Sequence, residues 1–94
     1  MRTTKQVKIR IFKEIIDVLH EYFDSHAFIR LLFEKHPEIY AEFLSNKKDV
    51  ATGHGQIAEF LRRNGSELNI VKDGEIDSLN VFCNVSRNSI WKKL

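Results

Sequence analysis

The stretch 5–23 limits what this chain can become more than any other. Val7, Ile11, Ile15, Val18 and Tyr22 fall on one helical row, and Ile9, Phe12, Ile16, Leu19 and Phe23 fall on the row beside it. Two adjacent apolar rows make a stripe wider than one partner helix covers. The stretch predicts a central core helix, with a homodimer through this first helix as the way to hide any surplus apolar surface. Val7-Lys8-Ile9-Arg10-Ile11 also alternates like a strand and is β-branched at each apolar position. The helical period continues unbroken after it, which favours helix.

A stripe of this width needs a core to face, and the chain has enough for one. It has 94 residues, 43% apolar and 11% aromatic, which suits a single folded domain over 1–94 and excludes a disordered chain. The formal charge of +2 gives no strongly basic composition that would by itself point to nucleic acid. The charges are unevenly spread: Arg2, Lys5, Lys8, Arg10 and Lys13 precede the first acid, Glu14. Cys83 is the single cysteine, so no internal disulfide and no cysteine metal cluster is expected. His20, His26, His36 and His54 form no i, i+4 pair, and neither a metal nor a cofactor is predicted. No apolar run approaches a membrane span and no signal-peptide h-region opens the chain, so a cytoplasmic protein without a membrane partner is expected.

Further along, Asp24 or Ser25 can cap a second helix that runs to about Lys35. His36-Pro37 breaks it, and Pro37 suits the first position of a third helix, with Glu38 in its first turn. Ile39, Tyr40, Phe43 and Leu44 give that helix its buried side, and a polar loop follows. A fourth helix is predicted over 52–64, with Thr52 as N-cap and Asn64-Gly65 at its end. Ile57, Ala58, Phe60 and Leu61 face inward, while Gln56, Glu59, Arg62 and Arg63 lie on the other side. Asp73-Gly74 between β-formers then predicts a two-residue hairpin turn, with Lys72 opposite Glu75 and Val71 opposite Ile76. For the end of the chain two readings stand: a helix capped by Ser86, or a final strand around Ser89-Ile90-Trp91-Lys92 that pairs with the hairpin. The fold class is therefore mainly α, with four or five helices and a small β-hairpin near 68–77.

Helices, then a helix with a polar outward face, then a hairpin: over roughly 25–94 this order resembles the winged helix-turn-helix class. In that class the helix before the hairpin enters the major groove and the hairpin touches the flanking backbone. The resemblance implies a DNA-binding accessory or regulatory protein in which Gln56, Arg62 and Arg63 face DNA. Gln56 would read adenine, and the arginines guanine or phosphate. Lys47, Lys48 and Lys72 would hold phosphates. Glu59, in the middle of that face, departs from the pattern because it repels phosphate. The segment 84–94 also looks like the turn and recognition helix of repressor-type domains, although Asn80 departs from that motif. The pieces Phe23-Asp24-Ser25-His26-Ala27-Phe28-Ile29 and Asn80-Val81-Phe82-Cys83-Asn84, with Trp91 after them, are similar to small uncharacterised bacterial proteins, some carried on mobile elements.

Other features admit two readings. Gly53 and Gly55 cost helix stability, so each needs a reason: bare amides that bind phosphate, or close approach of another helix. Trp91 reads as a core anchor that closes the domain, and Cys83 as a small core residue. No catalytic residue is assigned. The alternative to DNA binding is a protein-interaction or structural role for the apolar first helix. A third option is a small nuclease or toxin that uses His54 as a base beside Arg62 or Arg63.

Overall fold

The computed structural model describes residues 3–45 and 49–94. The expected phosphate contacts Lys47 and Lys48 lie outside the described residues. In chain order the elements are α1 (Lys5–Val18), β1 (Tyr22–Asp24), α2 (Ser25–Lys35), α3 (Pro37–Leu44), α4 (Val50–Arg63), α5 (Gly65–Leu68), β2 (Ile70–Leu79) and β3 (Val85–Lys93). The fold is mainly helical with a small antiparallel sheet, in the strand order β1-β3-β2.

Capping side chains set the helix starts. Thr4 Oγ1 accepts the Val7 N–H at 3.3 Å, and Asp24 Oδ1 accepts the Ala27 N–H at 2.8 Å. Pro37 opens α3 with Glu38 in its first turn. The fourth helix begins earlier than the sequence suggested. Asp49, not Thr52, is its N-cap, and Asp49 Oδ1 accepts the Thr52 N–H at 2.8 Å. That bond favours the ionised carboxylate and holds the Asp49 pKa below the ordinary aspartate value.

The first helix is shorter than its periodic stretch. It stops at Val18, and Tyr22 and Phe23 pass into β1, where strand alternation leaves Tyr22 exposed and Phe23 buried. Ile9, Phe12, Ile15 and Ile16 of α1 are buried in the chain's own core. Phe12 is the centre of that core. Its ring lies 4.6 Å from Phe28 of α2 and 4.7 Å from Phe60 of α4, so one side chain joins three helices. Trp91 is 3% exposed and donates its Nε1–H to Ser25 Oγ at 2.9 Å, which anchors β3 to the start of α2.

The hairpin exists, but its turn is not where the Asp-Gly signal placed it. β2 runs straight through Asp73-Gly74 as a bulge: Lys72 pairs with Trp91 and Gly74 with Ile90, so Asp73 is the extra residue. Gly74 has φ +132°, which is open to glycine alone among common residues. Val71 faces Lys92 and Ile76 faces Asn88, not one another. The real turn spans Asn80 to Asn84. Asn80 Oδ1 accepts the N–H groups of Phe82 at 2.9 Å and Asn84 at 3.1 Å, and its backbone N–H donates to the Asn84 carbonyl at 2.9 Å. Cys83 is exposed in this turn at φ 63°, not packed in the core. The chain ends in a strand, so the repressor-like reading of 84–94 as a recognition helix is overturned.

Gly53 has a packing reason. A Cβ placed there would lie 2.7 Å from Leu44 Cγ and 3.2 Å from Leu44 Cα, so α3 crosses α4 at this glycine. Gly53→Ala adds helix propensity of about 1 kcal/mol but overpacks this crossing by ~1–3 kcal/mol. The expected outcome is a net loss of about 1 kcal/mol, read as a lower urea midpoint at unchanged slope.

Candidate functional site

The outer side of α4 carries the residues the sequence singled out. Gln56, Arg62 and Arg63 are all exposed. At 100° per residue they do not share one row. Gln56 and Arg63 fall with Thr52 and Glu59, whereas Arg62 continues the row of Ala51, Gly55 and Ala58. Glu59 contacts the guanidinium groups of both arginines, with its Oε1 3.6 Å from Arg63 Nε. Lys72 lies on β2, where its Nζ is 3.3 Å from Glu75. Three of the expected phosphate contacts are thus already in ion pairs.

A second constellation, absent from the sequence reading, sits between the hairpin and the helices. The N-terminal turn of α2 and one side of α4 face β3 and the hairpin turn across a cleft of about 450 Å³. His26 is its polar centre. Its ring Nδ1 lies 2.9 Å from Ser78 Oγ and its Nε2 lies 3.2 Å from Ser86 Oγ. A hydroxyl can donate or accept, so this imidazole is held in either protonation state. Asn88 fixes both strands to the helix. Its Oδ1 accepts the His26 backbone N–H at 2.9 Å, and its Nδ2 donates to Ser78 Oγ at 3.0 Å and to the Ile76 carbonyl at 3.1 Å. Asn80 Nδ2 donates to Ser86 Oγ at 3.4 Å.

His54 enters the same cleft from α4. Tyr40 OH lies 2.7 Å from His54 Nε2, and the His54 ring stacks on Phe82 of the hairpin turn, with centroids 5.7 Å apart and planes 21° apart. Burial holds the His54 pKa below the ordinary histidine value, and the nearby His26 lowers it further. Burial pushes the Tyr40 phenol up. Both groups are therefore neutral near pH 7, and the pair is a neutral hydrogen bond. Arg87 and Glu75 stand in the cleft wall. Arg87 Nε is 3.8 Å from Asp77.

Ser25, His26 and Ile29 from the start of α2, and Asn80 and Phe82 from the hairpin turn, all line this cleft. Residues 52 positions apart in sequence meet through His26 and Ser78. Spacing within either segment carries no sign of the meeting, which arises from β1–β3 pairing. Among the described residues no group of three or more His, Cys, Asp or Glu could hold a metal ion, and no helix is long and apolar enough to cross a membrane. The chain matches no protein-family model, no curated protein and no solved structure.

The electrostatics of the cleft can be read by pH. His54 takes up its proton below the ordinary histidine value of about 6.5. The unfolded chain then binds more protons than the folded one across that interval, so stability falls as pH drops from about 6.5 toward the folded-state pKa. NMR titration should show the His54 midpoint below the ordinary histidine value of about 6.5, and His26→Asn should move it part of the way back up.

Proposed function

We propose that this chain is a small nucleic-acid-binding module, a DNA-binding accessory or regulatory protein that presents α4 and the hairpin beside it. The observation that carries the reading is the exposure of Gln56, Arg62 and Arg63 along α4, which the short helix α5 joins to the β2–β3 hairpin. The resemblance to winged helix-turn-helix domains supports it at the level of element order. The helix α3 packs on both α2 and α4 and would brace the presented helix.

Glu59 does not forbid this role. Arg62 and Arg63 are 62% and 72% exposed in their ion pairs, and exposed pairs are worth only ~0–1 kcal/mol. A phosphate can replace Glu59 as partner at little cost. Glu59 does limit the surplus charge, so the module would neutralise only a few phosphates.

A second reading, association with another protein or with a second copy, is supported by the apolar side chains at the hairpin end. Leu79 and Phe82 are each 52% exposed and Val85 is 67% exposed. The hairpin end suits this role better than α1, whose one exposed large apolar side chain among the described residues is Val18.

Fluorescence anisotropy of a labelled random duplex tests the first reading. Two or three neutralised phosphates give a slope of log K against log salt of about −2 to −3. The combined change Arg62→Ala and Arg63→Ala should bring that slope to between about −1 and 0, and Glu59→Gln should tighten binding by about two- to fivefold. Absence of binding at low salt would sink the DNA reading. Light scattering across a concentration series, with and without Phe82→Ser, would decide the second.

A further inference from the structure

We propose that the cleft between α4 and the β2–β3 hairpin binds one nucleotide, a hydrogen-bonding heteroaromatic ring that carries a phosphate. The cleft borders α4 along the Ala51, Gly55 and Ala58 row, which continues to Arg62, beside the row of Gln56 and Arg63, and the proposal does not require the duplex reading to hold.

Gly55 is the first observation. It lies in the middle of α4, where glycine is about 1 kcal/mol worse than alanine. Gly53, two residues earlier and on a different side of the helix, is explained by Leu44. Gly55 is not: a Cβ built there meets nothing within 4 Å. Among the described residues no atom needs this position bare. What it does is open the cleft wall beside His54. A glycine that the fold does not require, at the edge of a cavity, leaves room for something from outside to approach the backbone closely.

The second observation is a fixed aromatic wall. His54 is held by Tyr40 at one nitrogen and stacked on Phe82. Phe82 remains 52% exposed, so it offers a ring surface to a partner. Stacking on such a surface is the sequence-tolerant way proteins hold unpaired bases.

The third observation is the mixture of polar groups around that wall. The Asn80 oxygen is taken up by the turn and the Ser86 hydroxyl by Asn80 and His26, but the second Asn80 Nδ2 hydrogen, the Ser89 hydroxyl and the Glu75 carboxylate in the lining supply both donors and acceptors. A base edge also presents both, and a carboxylate accepts from an exocyclic amino group such as cytosine N4. Arg87 is the one arginine among the described lining residues and suits one phosphate. The cleft volume of about 450 Å³ lies within the range of roughly 300–1,000 Å³ typical of small-ligand sites.

Calorimetric titration of the full chain with 5′-CMP, and separately with a short single-stranded oligonucleotide rich in cytosine, tests the proposal. Saturable binding of either ligand, weakened about tenfold by Phe82→Ala, is expected. Gly55→Gln is the decisive variant. It should raise the melting temperature, because a helix former replaces glycine, and it should abolish binding, because its side chain fills the cleft. Opposite signs on stability and binding separate a ligand site from a folding defect. Binding of CMP as tight as that of the oligonucleotide identifies a free nucleotide as the ligand. Binding of the oligonucleotide alone identifies an unpaired nucleotide within a strand. If neither ligand binds, or if Gly55→Gln is stabilised and binds unchanged, the proposal is overturned. Duplex binding that depends on Arg62 and Arg63 could still be found in that case.

Discussion

The hydrogen bond from Trp91 to Ser25 ties the central strand of the sheet to the start of α2 at a buried point. Ser25 is the first residue of α2 and is 2% exposed, and Trp91 lies on the central strand of the sheet. Their contact joins positions 66 residues apart. Loss of either partner would leave a buried polar group unsatisfied, at about 1–3 kcal/mol. The same anchor sets where α2 begins relative to β3. β1 ends at Asp24, opposite Ile90, and α2 turns away from the sheet one residue later. Beyond that point β3 has no strand on this side, and the first turn of α2 takes the vacant place. His26 therefore reaches Ser78 and Ser86, and the cleft exists because β1 is only three residues long.

Most of the helical architecture was legible because it is encoded locally. The Pro37 break, the Asp24 cap and the inward faces of the helices need only nearest neighbours along the chain. The failures share one cause. Tyr22 and Phe23 continue the helical rows of α1, yet β3 offers Phe23 a strand partner and a place beside Trp91. Asp73-Gly74 has the composition of a tight turn, but β3 is long enough to pair past it, and the pair becomes a bulge instead. The turn then falls to Asn80, whose side chain satisfies two backbone N–H groups without any glycine. In each case a long-range strand pairing overrode a local preference, as β-propensity commonly yields to tertiary context.

The candidate site follows the same division. The outer row of α4 was legible, since amphipathic spacing alone separates Arg63 and Gln56 from Ile57 and Leu61. The cleft was not, because His26, His54, Asn80 and Ser86 come from four elements or connections and no spacing rule joins them. The two glycines show the limit well. Gly53 and Gly55 look alike in sequence, and both stand in the first half of α4. Only the neighbours tell them apart: one is closed by Leu44 and the other opens on a cavity.

Charge compensation bears on how such a small molecule could recognise anything. Glu59 answers Arg62 and Arg63, Glu75 answers Lys72, and Asp77 answers Arg87. With a net charge of +2, long-range attraction toward a polyanion is weak. A partner held by phosphate contacts alone would be bound loosely and released by modest salt. Discrimination would then have to arise where water is excluded and short-range contacts count most. Around α4 that place is the His54–Phe82 side of the helix, since Arg62 and Arg63 are open to solvent and already paired with Glu59.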